Sequence, residues 1–207
     1  MHSVDHIETA GTPLNEGKRA MIMIHGRGAS AQSILSLSAH FESDKMAFLA
    51  PQATGGSWYP YSFLAPMDDN EPGLSSALVV IGHLVEQLKM EYNFAAKDIY
   101  LLGFSQGACL ALEYAARNAS IYGGIFGLSG GLIGPEGTPR DYPGSFSETP
   151  VLLGCSDVDP HIPRERVVKS GEVFKGMGAD VTVQLYKNFG HSVHQDEITF
   201  INKVMAS

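Results

Sequence analysis

Residues 99–112 read Ile99-Tyr100-Leu101-Leu102-Gly103-Phe104-Ser105-Gln106-Gly107-Ala108-Cys109-Leu110-Ala111-Leu112. The apolar run Ile99 to Leu102 suits a buried strand, and the Ala- and Leu-rich stretch from Gln106 to Arg117 suits a helix. Between them, Gly103 and Gly107 remove the side chains that would obstruct a tight strand-to-helix turn with a serine at its apex. A helix that begins just after the serine directs its first amides toward charge developing beside it. The spacing G-x-S-x-G is weak on its own, because Gly127-Leu128-Ser129-Gly130-Gly131 fits it too. That second match runs into Gly130-Gly131-Leu132-Ile133-Gly134-Pro135, which breaks a helix, so Ser129 reads as a strand-end loop residue. Ser105 is the candidate nucleophile.

Working outward, apolar runs of four to six residues recur at Ala20 to Ile24, Ala47 to Ala50, Ile125 to Leu128 and Val151 to Cys155. Each reads as a buried parallel strand. Helical spacing separates them: Leu74, Leu78, Ile81, Val85 and Leu88 share one face of a helix over Pro72 to Glu91. Further helices are expected over Ala31 to Phe41, Arg164 to Met177 and His194 to Met205. Val181, Val183 and Leu185 alternate with polar partners, which predicts a half-exposed strand at a sheet edge. The fold class is α/β, a doubly wound and mostly parallel sheet flanked by helices. Asn15-Glu16-Gly17 suggests a short N-terminal hairpin. The Gly- and Pro-rich stretches 53–73 and 129–150 are candidate binding loops.

At 207 residues, without internal repeats or linker-like composition, the chain reads as a single domain over 1–207. Twenty-two acidic against 14 basic residues give a net charge of −8, a field that repels nucleic acid. No run approaches the roughly 20 apolar residues of a membrane span. The first residues lack the basic start and apolar core of a signal peptide, so the expected compartment is the cytoplasm. Cys109 and Cys155 lie in apolar stretches without C-x-x-C spacing and read as buried free thiols. The histidines show no paired-ligand spacing, so neither a metal nor a cofactor is expected.

A serine hydroxyl is a weak nucleophile at neutral pH, so a histidine must take its proton and a carboxylate must hold that histidine in the right tautomer. The strand Val151 to Cys155 leads into Ser156-Asp157-Val158-Asp159-Pro160-His161-Ile162-Pro163. Asp159 is the candidate acid, because Pro160 fixes the backbone beside it; Asp157 reads as a turn former. The late strand leads into Asn188-Phe189-Gly190-His191, where Gly190 lets the loop fold back and makes His191 the candidate base. His161 and His194 are the alternatives. Two backbone amides should bind an oxyanion: that of Gln106, after the serine, and that of Arg27, in the loop His25-Gly26-Arg27-Gly28. The His25 side chain reads as a brace for that loop. The Arg27 guanidinium either lies along the surface or faces the pocket mouth to hold an anionic substituent.

HGRG after the early strand, GFSQGACLAL, LSGGL at 128–132, SDVDPHIP and FGHSV occur in collinear order over nearly the whole chain. Together they resemble the phospholipase/carboxylesterase family of α/β-hydrolases, which includes acyl-protein thioesterases and bacterial carboxylesterases. The resemblance implies a triad of Ser105, Asp159 and His191 and cleavage of carboxylic esters, with thioesters and lysophospholipids as related substrates. Ser57-Trp58-Tyr59-Pro60-Tyr61, with Phe63 and Leu64, is similar to the family's aromatic loop, so Trp58, Tyr59, Phe63 and Leu64 either wall the substrate pocket or simply pack into the core. Arg27 stands where the family often has a hydrophobic residue, which changes the pocket mouth. The expected partner is a small-molecule ester, with a homodimer left open.

Two rival readings carry distinct signatures. A dienelactone-hydrolase-like enzyme opening small lactones or aromatic esters would suit Arg27, but that group uses a cysteine nucleophile. A hydrolase-fold binding module without turnover would not need an intact triad.

Overall fold

The computed structural model describes residues 1–42 and 44–206. Seven strands form one sheet: β1 (Ile7–Gly11), β2 (Arg19–Ile24), β3 (Met46–Pro51), β4 (Ile99–Phe104), β5 (Gly124–Leu128), β6 (Pro150–Ser156) and β7 (Asp180–Tyr186). Their order is β1-β3-β2-β4-β5-β6-β7, and only the β1–β3 pairing is antiparallel. Among the described residues five α-helices accompany them: α1 (Ala31–Leu35), α2 (Gly73–Met90), α3 (Gln106–Arg117), α4 (Arg164–Gly176) and α5 (Gln195–Ala206).

Side chains alternate across the sheet and divide the core in two. Ile22, Ile24, Leu101, Ile125 and Leu153 face one way and pack with Leu84 of α2, Leu110 of α3 and Phe174 of α4. Met21, Met23, Leu102, Phe126 and Leu152 face the other way, against Ile34 of α1 and Ile198, Ile201 and Met205 of α5. Both faces of the central strands are covered, which is why their sequences are continuous apolar runs. Each such side chain contributes about 1.5–3 kcal/mol by leaving water. The outer strand β7 has only partly buried or exposed residues, as its alternating pattern predicts for an edge.

Three expectations need correction. β1 lies outside the predicted strands, and the segment 13–17 turns the chain toward β2 without making a hairpin: β1 pairs with β3, because β2 already has β3 and β4 on its two edges. The helix expected over 31–41 stops at Leu35, and Ser36–His40 form a tighter 3₁₀ turn. There the Ser36 hydroxyl donates to the Ser33 carbonyl at 2.7 Å, a side-chain bond that competes with the helical ladder. No residue of that turn is buried, so packing does not hold it helical.

β2, β4, β6 and β7 run parallel, so the loops after Ile24, Phe104, Ser156 and Tyr186 gather at one edge of the sheet. Crevices at the carboxyl ends of parallel strands are where α/β folds place ligands.

Candidate active site

Ser105 sits between β4 and α3 with φ 55° and ψ −120°, a conformation non-glycine residues avoid and one that costs on the order of 1–3 kcal/mol. The close approach of strand and helix demands glycine on both sides: a Cβ at Gly103 would strike the Gly107 carbonyl, and one at Gly107 would strike the Ile24 carbonyl. The turn lifts the serine hydroxyl out of the sheet toward the loops from β6 and β7.

His191 Nε2 lies 2.9 Å from Ser105 Oγ, and His191 Nδ1 lies 2.7 Å from Asp159 Oδ2. A carboxylate only accepts, so Nδ1 carries the proton and Nε2 is free to accept from the serine hydroxyl. The Asp159 side chain is fully buried. Its other oxygen, Oδ1, accepts the amides of His161 at 2.8 Å and Ile162 at 3.0 Å. Burial pushes this carboxyl up, but the His191 bond and the two amides outweigh it and hold its pKa below the ordinary carboxylate value. Asp159 is therefore an anion at neutral pH, oriented at both oxygens. Cys155, whose thiol burial raises to about 12, stays protonated and places Sγ 3.6 Å from Asp159 Oδ2.

The other candidates have different surroundings. Asp157 Oδ1 accepts the Asn188 amide at 2.8 Å, and Ser156 Oγ accepts the Gly190 amide at 3.1 Å. These two bonds tie the loop after β7 to the loop after β6, and so bring His191 to Asp159. His161 is exposed, with its ring edge-on to His191 at 5.0 Å, and makes no bond to Ser105. His194 stacks on Tyr186 at 4.0 Å. Ser129 is fully buried beneath the sheet edge and no helix follows it. Cys109 and Cys155 are both free and buried.

The amide of Gln106, first residue of α3, has no intrahelical acceptor. The Arg27 amide also finds no partner among the described residues, whereas its neighbours Gly28 and Ala29 donate to Gly56 and Gly26. Gln106 and Arg27 both line the same cleft as Ser105. His25 is buried; its Nδ1–H donates to the Gly26 carbonyl at 2.8 Å and its Nε2 accepts the Ala53 amide at 3.1 Å. Burial lowers its pKa, so it braces the loop as a neutral ring.

An open cleft of about 630 Å³ contains Ser105 and His191 and is walled by Tyr59, Tyr61, Phe63, Phe104 and Ile162. Of the four aromatic-loop residues expected there, Tyr59 and Phe63 line it, while Trp58 and Leu64 do not. Trp58 is fully buried below the loop, its indole N–H donating to the His25 carbonyl at 2.9 Å, and Leu64 packs onto the core. The Gln106 side chain, which sequence reasoning passed over, holds this wall: Oε1 accepts the Trp58 amide at 2.9 Å and Nε2 donates to the Tyr59 carbonyl at 2.8 Å. A second hollow of about 430 Å³, between the 129–150 loop and α4, contains none of the candidate residues. No group of three or more potential metal ligands occurs among the described residues, and none of their helices is long and apolar enough to cross a membrane.

Glu197 is a further residue missed from sequence. It is buried on α5 over Gly154, and its Oε2 accepts the His194 amide at 2.7 Å, anchoring the far end of the His191 loop. Burial raises its pKa from 4.5 to about 7. Below pH 4.5 native and unfolded chains both hold this proton; above 4.5 the unfolded chain releases it first, and the stabilisation is lost progressively until the native carboxyl also ionises near 7. Glu197→Gln keeps an acceptor and removes the titration. It should match the parent at pH 4 and exceed it at pH 8 by up to about 3 kcal/mol in denaturant unfolding. Parallel stability profiles for the two proteins would contradict this.

A family model described as Phospholipase/Carboxylesterase matches residues 7–207. A crystal structure of a phospholipase/carboxylesterase from Dyadobacter fermentans superposes with a TM-score of 0.95 at 44% identity, covering 100% of this chain and 98% of that one. Acyl-protein thioesterase 1 of Emericella nidulans is 26% identical over 218 residues, 93% of this chain and 91% of that protein. The enzyme of the same name from Gibberella zeae is 33% identical over 121 residues, which is 56% of this chain and 50% of that protein. With its α/β-hydrolase sheet and a model match over almost its full length, the chain belongs to the phospholipase/carboxylesterase family.

Proposed function

We propose that this hydrolase, as one domain in the cytoplasm, cleaves carboxylic esters through an acyl-enzyme on Ser105, a chemistry that extends to thioesters and lysophospholipids. The observation that carries the reading is the pair of hydrogen bonds from Ser105 Oγ to His191 Nε2 and from His191 Nδ1 to Asp159. Nε2 takes the hydroxyl proton as Oγ attacks the carbonyl carbon. The carbonyl oxygen becomes an oxyanion and accepts the amides of Gln106 and Arg27, each worth about 3–4 kcal/mol of barrier. On collapse the ester C–O bond breaks and Nε2–H delivers its proton to the leaving oxygen. Water, activated by the same nitrogen, then releases the acid and restores Ser105. Asp159 remains an anion throughout and stabilises the imidazolium.

The cleft is open rather than tunnel-like and its apolar wall is short, so it suits small acyl groups. Specificity constants for 4-nitrophenyl esters of increasing chain length should peak among the short acyl groups and fall toward palmitoyl. A steady rise to palmitoyl would overturn that part of the reading, and no hydrolysis of any member would overturn the whole.

A further inference from the structure

The Arg27 guanidinium is exposed at the cleft rim and held in place. Nη1 donates to Ser57 Oγ and to the Pro60 carbonyl, both at 2.9 Å, and Nη2 donates to the Tyr61 carbonyl at 2.6 Å. A guanidinium has five N–H donors. These bonds use three, leaving Nε–H and one Nη2 hydrogen unengaged while the plane is fixed. All three acceptors are neutral, and Arg27 forms no ion pair among the described residues. By contrast, the exposed Arg117 and Arg164 each pair with a glutamate. No Asp or Glu lines the cleft that Arg27 shares with Ser105.

Sheet order decides which part of a substrate meets this charge. β2, which carries the Arg27 loop, flanks β4 on one side; β5, β6 and β7, which lead to Asp159 and His191, lie on the other. His191 returns its proton to the leaving group, so the leaving group lies toward β6 and β7, and the acyl group extends toward Arg27. We infer that Arg27 is a specificity-determining residue that receives a carboxylate at the far end of a short acyl group, making half-esters of dicarboxylic acids the preferred substrates. The orientation rests on the serine mechanism proposed above. A guanidinium already fixed by neutral acceptors binds a carboxylate without the entropy loss of ordering a free side chain, and its two remaining donors allow charge-assisted bonds.

The test is the ratio of kcat/KM for monoethyl glutarate to that for ethyl pentanoate, followed by pH-stat. The two share acyl length and leaving group and differ in the terminal carboxylate. In the parent the ratio should exceed 1 at low ionic strength and fall as salt is added. Arg27→Gln should lower it by about 10- to 100-fold, as expected for lost hydrogen bonds to a charged group, and Arg27→Lys should lie between. A variant that merely loosened the loop would slow both esters alike and leave the ratio unchanged; that result, or a parent ratio below 1, overturns the inference. Ser105→Ala assayed on ethyl pentanoate reports separately on the serine mechanism, so the two readings fail independently.

Discussion

Ser105→Ala is expected to lower kcat on a short-chain ester by about 10⁶ while the protein remains folded. The substitution removes one half-buried oxygen and leaves the elbow, its glycines and the α3 N-terminus intact. The residual rate over uncatalysed hydrolysis would come from the Gln106 and Arg27 amides and from substrate binding, which do not need the hydroxyl. In the proposed mechanism the serine and the imidazole act as a unit, so His191→Ala should cost about as much, and the double variant little more than either alone. Ser129→Ala gives the contrast: its hydroxyl is buried away from the cleft, so kcat should change by no more than about twofold. Steady-state kinetics with far-UV circular dichroism on the four variants check the set. An active Ser105→Ala would end the assignment.

Asp159→Asn should reduce kcat by about 10⁴ with little change in KM. The direction follows from the two amides on Oδ1. The His161 and Ile162 N–H groups require an acceptor there, so the asparagine must turn its carbonyl toward them and its NH₂ toward His191. His191 Nδ1 then has to accept, its proton moves to Nε2, and the nitrogen facing Ser105 loses the lone pair it needs. The ring stays in place, so substrate binding survives while proton transfer fails. A loss of less than tenfold would show that the carboxylate does not set the tautomer.

The physical reasons for what the sequence revealed are local. Strands β2 to β6 are continuous apolar runs because both faces of the sheet are covered, and such runs stand out against their Gly and Pro boundaries. β1 did not stand out: Ile7-Glu8-Thr9-Ala10-Gly11 is an edge strand with three exposed residues, and only its pairing with β3 makes it regular. The helix expected over 31–41 is longer than α1 because Ile34, Leu37 and Phe41 have helical spacing, while the serines between them favour a tighter turn.

The site divides the same way. Ser105, Asp159 and His191 each sit in a short segment whose Gly or Pro residues mark a special backbone, so they can be picked out without knowing that the chain brings them together. The roles of Gln106 and Arg27 as loop anchors depend on contacts with residues 57–61, some 30 to 49 positions away in sequence, and no local pattern encodes them. The sequence leaves Trp58 open between pocket wall and core because aromatic residues suit either, and only its burial distinguishes the two. Glu197 did leave a trace. It shares a helical stripe with Ile201 and Met205, and an acidic residue on an apolar stripe signals a buried, functional or strained position.

The most direct test of the account is covalent. A fluorophosphonate probe reacts with a serine whose proton a neighbouring base removes, and peptide mass spectrometry locates the adduct. The structure predicts one equivalent of probe on the peptide containing Ser105, none on that containing Ser129, and a labelling rate that collapses in His191→Ala. An adduct on Ser129, or an active enzyme that leaves Ser105 unlabelled, would contradict it.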